Sequence, residues 1–329
     1  MRVSAKKFLI AGVLGMSLVG SSWPVWAAPA WSLPESGLKL ETGAKQAHVA
    51  DMMERLKHPK EKAAPYEAPD GWAYEKYEVD GVKVEKLVNP ALTNDRVVLQ
   101  FHGGGYVLGQ SDNHRKLAER QGVLADAREM YMVDYRLAPQ NTYPAALEDA
   151  VKVYKDLLAK GKSAGKIIVT GDSAGGHLAL SLCLYLKANN LPQPAMLLLA
   201  SPWTTMETNL PSRKNNASKD LILGTNNPFM YKAVSTPAYG KGYKAKDPRV
   251  SPVHADLTGL PPILIQTGGY ELFLDENLAL ARKAAEAGVD ITLTVYPAMS
   301  HDFALLLPEL QDSVDSFKEI RDFVRRHLD

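Results

Sequence analysis

A serine framed by glycines is the first group in this chain able to do chemistry. The run Gly171-Asp172-Ser173-Ala174-Gly175-Gly176 directly follows the apolar stretch Lys166-Ile167-Ile168-Val169-Thr170. This is a G-x-S-x-G pattern between a strand-like and a helix-like segment. In that setting the serine occupies a sharp turn that lifts its Oγ above the sheet edge. Gly171 and Gly175 let the backbone close the turn without a Cβ clash, and Gly176 is expected to leave room for a substrate. A serine hydroxyl is a weak nucleophile. It needs a base, and the base needs a third group to orient it and stabilise its cationic form. Of the eight histidines, His301 lies in Tyr296-Pro297-Ala298-Met299-Ser300-His301-Asp302-Phe303, after the last strand-like run, where an imidazole can reach the nucleophile. His177 stands one helical turn beyond Ser173 and is read as a packing or surface residue. His48, His58, His254 and His327 have no supporting context, and no histidine spacing suits a metal.

The second chemical signal is His102-Gly103-Gly104-Gly105-Tyr106, after a strand-like run ending at Phe101. Attack on a carbonyl produces an oxyanion, which is stabilised by backbone N–H groups aimed at it. Consecutive glycines let the main chain come that close, and Ala174, the residue after the serine, is a further donor. A phosphate loop is the weaker reading, because no G-K-[ST] follows and the glycines do not open a G-x-G-x-x-G helix. For the acid, Tyr270-Glu271-Leu272-Phe273-Leu274-Asp275-Glu276 holds two candidates. Glu271 is favoured. Asp275 is the rival, and since it begins a helical run an N-cap role explains it more simply. This set performs acyl transfer and calls for neither a metal nor an organic cofactor.

These groups need a frame that brings them together. From about Trp72 the chain reads as alternating elements. Ala73–Val79 and Val82–Val88 flank Asp80-Gly81, a hairpin signal. Arg96–Phe101, Glu129–Asp134, Lys166–Thr170, Ala195–Ala200, Pro262–Thr267 and Asp290–Tyr296 read as further strands. Between them lie helices near Asp112–Ala127, at Pro144–Lys160, from Ser173 and from Leu274, with a last helix at Leu310–His327. Alternation of this kind predicts a mostly parallel sheet with helices on both faces. Runs such as Ile167–Val169 and Leu197–Leu199 suit strands covered on both sides. Sites in such folds gather at the carboxyl ends of the strands, and Ser173, Trp203, Glu271 and His301 all follow strand ends. The irregular stretch from Pro202 to about Ser251 is too long for a plain connector. With residues 28–70, which carry an amphipathic stretch at Gln46–His58, the part at about 203–250 is read as a cap on a catalytic domain spanning 71–329.

The first residues have another purpose. Arg2, Lys6 and Lys7 precede the apolar run Phe8–Gly20, and Val25-Trp26-Ala27 follows. That is the layout of a secretory signal peptide, residues 1–27, with cleavage expected after Ala27. The apolar run is short of the roughly 20 residues a membrane span needs, so no stable membrane anchor is expected. The expected location is periplasmic or secreted. The whole chain has 329 residues and a formal charge of +1. Losing three basic residues and no acid leaves it slightly acidic, which gives no electrostatic case for nucleic acid. Cys183 is the one cysteine, so no internal disulfide can form.

From roughly Glu85 to the C-terminus the chain resembles the hormone-sensitive lipase family of α/β-hydrolase carboxylesterases. The resemblance rests on Phe101–Gly109, Val133-Asp134-Tyr135-Arg136-Leu137-Ala138-Pro139, Tyr143-Pro144-Ala145-Ala146 with Glu148-Asp149, and Gly171–Leu178. Further matches are Ser201-Pro202-Trp203, Ser251-Pro252, Leu260-Pro261-Pro262 and His301-Asp302-Phe303. It implies a small-molecule ester substrate with a short acyl chain. An acetylated polysaccharide or oligosaccharide is the alternative. It also implies oxyanion donors at Gly104, Gly105 and Ala174, with Gly103 shaping the loop. Tyr106 and Trp203 are expected to wall the substrate pockets. The chain departs from the family at Glu271, where an aspartate is usual, at His177, usually asparagine, and at Asp302, usually glycine. Asp302 sits beside the base, where it could tune it electrostatically, but exposed placement is the favoured reading.

Overall fold

The computed structural model describes residues 31–58 and 65–329, so the expected leader and residues 59–64 lie outside the described part. Helix α1 (Thr42–Lys57) precedes a hairpin of β1 (Ala73–Val79) and β2 (Val82–Val88). Then come β3 (Val97–Phe101), α2 (Asp112–Leu124), β4 (Glu129–Asp134), α3 (Ala145–Ala159), β5 (Ile167–Asp172), α4 (Ala174–Ala188) and β6 (Met196–Ala200). Two short helices follow, α5 (Pro211–Asn215) and α6 (Pro228–Ser235). The chain closes with β7 (Ile263–Gly268), α7 (Leu274–Glu286), β8 (Ile291–Tyr296), α8 (Phe303–Leu306) and α9 (Gln311–Leu328).

The strands form one eight-stranded sheet in the order β1-β2-β4-β3-β5-β6-β7-β8. β1–β2 and β2–β4 pair antiparallel, and every later pair is parallel. The hairpin turns at Asp80 (φ 47°) and Gly81 (φ 80°). Two successive left-handed residues match the twist of the flanking strands, and aspartate-glycine is a pair that tolerates them. In β3, β5 and β7 every residue is buried, as strands covered on both faces must be. On one face the core holds Val151, Tyr154, Leu178, Leu182 and Leu280 from α3, α4 and α7. On the other it holds Ala118 and Leu124 of α2 and Phe317, Ile320, Phe323 and Val324 of α9. Those α9 residues fall on one stripe at helical spacing. Among the described residues no helix is long and apolar enough to cross a membrane.

The register explains why the candidate groups meet. Phe101 pairs with Gly171, Asp172 with Ala200, Ala200 with Gln266, and Gly268 with Tyr296. Five parallel strands therefore end at one edge, where the chain enters the loops bearing His102, Ser173, Ser201, Glu271 and His301. The sequence reading ends β5 at Thr170, but the strand runs on through Gly171 and Asp172. Gly171 is no strand breaker here, since a Cβ on it would meet the Gly175 backbone as the turn folds back.

Candidate active site

Ser173 leaves β5 with φ 51° and ψ −117°, a left-handed conformation that costs a non-glycine residue roughly 1–3 kcal/mol. The surroundings hold it there. Its N–H donates to the Ala200 carbonyl at 2.9 Å, and its own carbonyl accepts from Trp203 N–H at 2.9 Å and His177 N–H at 3.2 Å. A Cβ on Gly175 would collide with the Phe101 carbonyl, so helix α4 can start directly over β3 only with glycine at that position. Gly176 does not clear space for a substrate as expected. A Cβ there would meet Pro202, so this glycine serves close packing of α4 against the loop after β6.

His301 and Glu271 are both buried, at 2% and 0% exposure. Glu271 Oε2 lies 3.3 Å from His301 Nδ1, so Nδ1 carries the hydrogen and donates it. The other carboxylate oxygen, Oε1, accepts from Ser201 Oγ at 2.6 Å and from the Gly268 N–H. Ser201 Oγ also accepts the Asp302 N–H at 3.1 Å, so one hydroxyl joins the acid loop to the histidine loop. Phe273 stands edge-on to the imidazole, with ring centroids 4.9 Å apart. Behind the histidine loop, Val49 and Met52 of α1 pack on Tyr296, Met299 and Phe303. Gln46 of the same helix donates to the Ala298 carbonyl at 3.1 Å.

The glycine loop bends at Gly104 (φ 103°) and Gly105 (φ 63°), and the Gly104 carbonyl accepts from Val107 and Leu108 N–H at 3.0 and 2.9 Å. Gly103 packs where a Cβ would meet the Asp172 carboxylate and, at 3.1 Å, the Ser173 Cβ, so the loop runs directly alongside the serine. Ala174 opens α4, and its N–H is among the donors that no helical turn satisfies. His102 fixes the loop. Its Nδ1 donates to the Gly103 carbonyl at 2.7 Å, its ring stacks on Tyr135 at 4.2 Å, and Tyr135 Oη donates to its carbonyl at 2.6 Å. Burial pushes this imidazole down to about 4, with nearby His114 adding to the effect, so His102 is neutral at pH 7.

Three further buried aspartates surround the site. Asp172, beside the serine, lies 3.4 Å from His114 Nε2. Burial alone would raise its carboxyl, but His114, then His102 and His301, hold it below the usual range. Asp220, between α5 and α6, accepts at Oδ2 from Leu272 N–H at 2.9 Å and at Oδ1 from Leu223 N–H at 3.1 Å, with His301 N 3.5 Å away. It braces both the Glu271 loop and the His301 loop. Asp302 was expected to be exposed. It is 7% exposed, with Oδ2 3.0 Å from His301 Nε2, and its backbone lies at φ 51°.

A sequence profile of the alpha/beta hydrolase fold family matches residues 98–305. The chain is 34% identical over 238 residues to an acetyl-hydrolase of Streptomyces hygroscopicus, covering 72% of this chain and 78% of that protein. It is 32% identical over 253 residues to an esterase of Acinetobacter venetianus, covering 74% and 78%. The crystal structure of an esterase from the bacterial hormone-sensitive lipase family superposes with a TM-score of 0.77 at 32% identity, over 88% of this chain and 100% of that one. This chain belongs to the hormone-sensitive lipase-like α/β-hydrolase family. It is a serine hydrolase of the class that cleaves carboxylic esters.

In this α/β-hydrolase, Asp275 is turned to α5 and away from His301. Its carboxylate accepts from Ser212 N–H of α5 at 2.7 Å, and Ser212 Oγ accepts the Asp275 N–H at 3.2 Å. That pairing ties α7 to α5 and differs from the expected N-cap, a position Phe273 holds. Tyr106 does not wall an open pocket. It is wholly buried, stacked on Tyr239 at 3.8 Å, and bonded through Oη to His177 Nδ1 at 2.7 Å. Histidine 177 also reaches the Val250 carbonyl at 3.0 Å, so it packs the hydrolase core. Trp203 is 1% exposed and stacks on Phe273, one layer behind the ring that touches His301. Sequence reasoning missed Asp220 altogether and took Ser201 only as part of a motif. Their partners come from distant loops, and no local spacing announces such contacts.

Proposed function

We propose that this protein is an exported serine carboxylesterase acting on short-chain acyl esters. In this reading Ser173 Oγ attacks the ester carbonyl while His301 Nε2 takes its proton. Glu271 holds the other ring nitrogen and stabilises the imidazolium. The N–H groups of Gly104, Gly105 and Ala174 receive the oxyanion, with Gly103 shaping the loop. The imidazolium then gives its proton to the leaving alcohol, and an acyl-serine forms. Water, deprotonated by His301, releases the acid and restores the serine. Residues 28–70 and about 203–250 act as the cap.

The observation that carries this reading is the contact between His301 Nδ1 and the buried Glu271 carboxylate, at the same carboxyl edge of the sheet where the glycine loop adjoins the strained serine turn. The short-chain preference rests on the family resemblance carried by the sequence motifs. The acetyl-hydrolase relative supports acetyl esters as the small end of that range. Export is supported by the leader pattern of residues 1–27. The test is the initial rate of wild type and Ser173→Ala on p-nitrophenyl esters from acetyl to palmitoyl, together with fractionation of expressing cells. Serine-dependent rates that peak at short chains, in exported material, are expected. Equal inertness of both proteins would overturn the esterase reading.

A further inference from the structure

Both ring nitrogens of His301 face a carboxylate. Glu271 Oε2 lies 3.3 Å from Nδ1 and Asp302 Oδ2 lies 3.0 Å from Nε2. In the reaction proposed above, Nε2 is the atom that must turn to Ser173. Asp302 heads helix α8 but its side chain makes no capping bond to that helix. Its backbone sits at φ 51° and ψ 35°, a region in which a glycine would be unstrained. Its N–H is pinned to Ser201 Oγ, the same hydroxyl that donates to Glu271. The Asp302 carboxylate is thus buried beside the base, on a backbone whose N–H is tied to Ser201.

We propose that Asp302 is a positioning residue that holds His301 through Nε2 in the resting enzyme and sets the pH at which the base becomes free to act on Ser173. The proposal rests on the reading of His301 as the base. In the resting enzyme Nε2 is protonated, and it pairs with Oδ2 across 3.0 Å as an ion pair that is not aligned as a hydrogen bond. While that proton is present, Nε2 has no lone pair for the serine proton. When it leaves, the bare carboxylate and the Nε2 lone pair repel, and the ring is released to Ser173.

The surrounding groups favour keeping that proton. Glu271 meets the ring from the loop after β7, Asp220 of the segment between α5 and α6 stands at the His301 backbone N–H, and Asp172 at the end of β5 acts on the ring through its charge alone. His114 of α2 and His102 of the glycine loop are engaged with Asp172. Burial alone would push His301 down, but Asp302 and then Glu271 hold it well above the usual histidine range. Burial pushes the Asp302 carboxyl up to about 7 against the pull of His301. Asp302 thus stabilises the protonated pair, and the free base appears only at higher pH than it would without this residue.

The experiment is the pH profile of kcat/KM for p-nitrophenyl acetate in wild type, Asp302→Asn and Asp302→Gly. Asparagine keeps the shape, and glycine relieves the left-handed backbone. The acidic limb is expected to move down by about one to three pH units in both variants, the usual effect of a neighbouring opposite charge. An unmoved limb in both overturns the proposal, since a merely structural loss lowers the plateau without shifting the limb. A second measurement does not depend on turnover. The imidazole ¹⁵N shifts of His301 are followed with pH in Ser173→Ala, with and without Asp302→Asn. The same downward displacement is expected, and identical titrations overturn the proposal. Wild type inert to esters with a displaced titration would sink the esterase reading while the hold by Asp302 stands. Serine-dependent hydrolysis with neither readout moved would sink the role of Asp302 alone.

Discussion

Replacing Glu271 by glutamine tests the arrangement of acid and base most sharply. The carboxylate takes hydrogen from three donors: Ser201 Oγ and Gly268 N–H at Oε1, and His301 Nδ1–H at Oε2. Glutamine satisfies the first two with its carbonyl oxygen and leaves an NH₂ facing Nδ1. Two N–H groups cannot share one contact, so the ring must move its proton to Nε2 and present the wrong tautomer to Ser173. Both side chains are almost wholly buried, so water supplies no substitute acceptor. The equivalent amide substitution in a Ser-His-Asp triad costs about 10⁴ in kcat. At 1.36 kcal/mol per decade that is about 5.4 kcal/mol of barrier. Glu271→Gln is therefore expected to lose about four decades of kcat on p-nitrophenyl butyrate, with KM changed far less. Glu271→Asp keeps the charge but is one methylene too short to serve all three donors, so its loss should be smaller. Asp275→Asn, which touches Ser212 and not His301, should stay within about tenfold of wild type. If Glu271→Gln kept a tenth of wild-type kcat, or if Asp275→Asn proved the more damaging change, the reasoning would be refuted.

Two further predictions concern the frame. Arg213 of α5 pairs with Glu276 of α7 at 2.7 Å, both buried, and Glu276 also accepts from Thr204 N–H at 2.6 Å. Burial raises the Glu276 carboxyl to about 7 even with Arg213 opposing it. Removing the cation in Arg213→Ala should cost about 3–5 kcal/mol in urea denaturation, and an unchanged midpoint would contradict this. Glu85 of β2 accepts from Arg115 at 2.6 and 2.8 Å and from Tyr74 Oη at 2.6 Å. Burial would raise this carboxyl, but Arg115 and Tyr74 hold it down to about 2 against an ordinary 4.5. A lowered folded-state value stabilises the fold above pH 4.5, and that stability is lost as pH falls through 2. Wild type should therefore lose more stability than Glu85→Gln across that window, and parallel loss in both would count against the pairing.

Much of the frame could be read from the chain because its causes are local. Asp80-Gly81 turns the hairpin through its own backbone preferences, and doubly apolar runs such as Ile263–Ile265 announce strands covered on both faces. Ser173 and His301 were legible because each follows a strand in a motif with a mechanical reason. What escaped depends on contacts between loops that are distant in sequence. Exposed placement of Asp302 is the favoured sequence reading over tuning of the base, yet the residue is buried, with its N–H bonded to Ser201 Oγ. Asp220 carries no motif, but it closes a bracket between Leu272 and the His301 loop. Tyr106 and Trp203 were read as pocket walls from their place beside the motifs. Stacking on Tyr239 and Phe273 draws them into the core instead.

The central claim is that Ser173 carries the acyl group. Its most direct test is acid quenching of the enzyme during turnover of p-nitrophenyl acetate, followed by intact mass and peptide mapping. The account predicts a single acetyl adduct on the peptide containing Ser173 and none in Ser173→Ala. An acetyl group on another residue during turnover, or an undiminished adduct in the alanine variant, would contradict it.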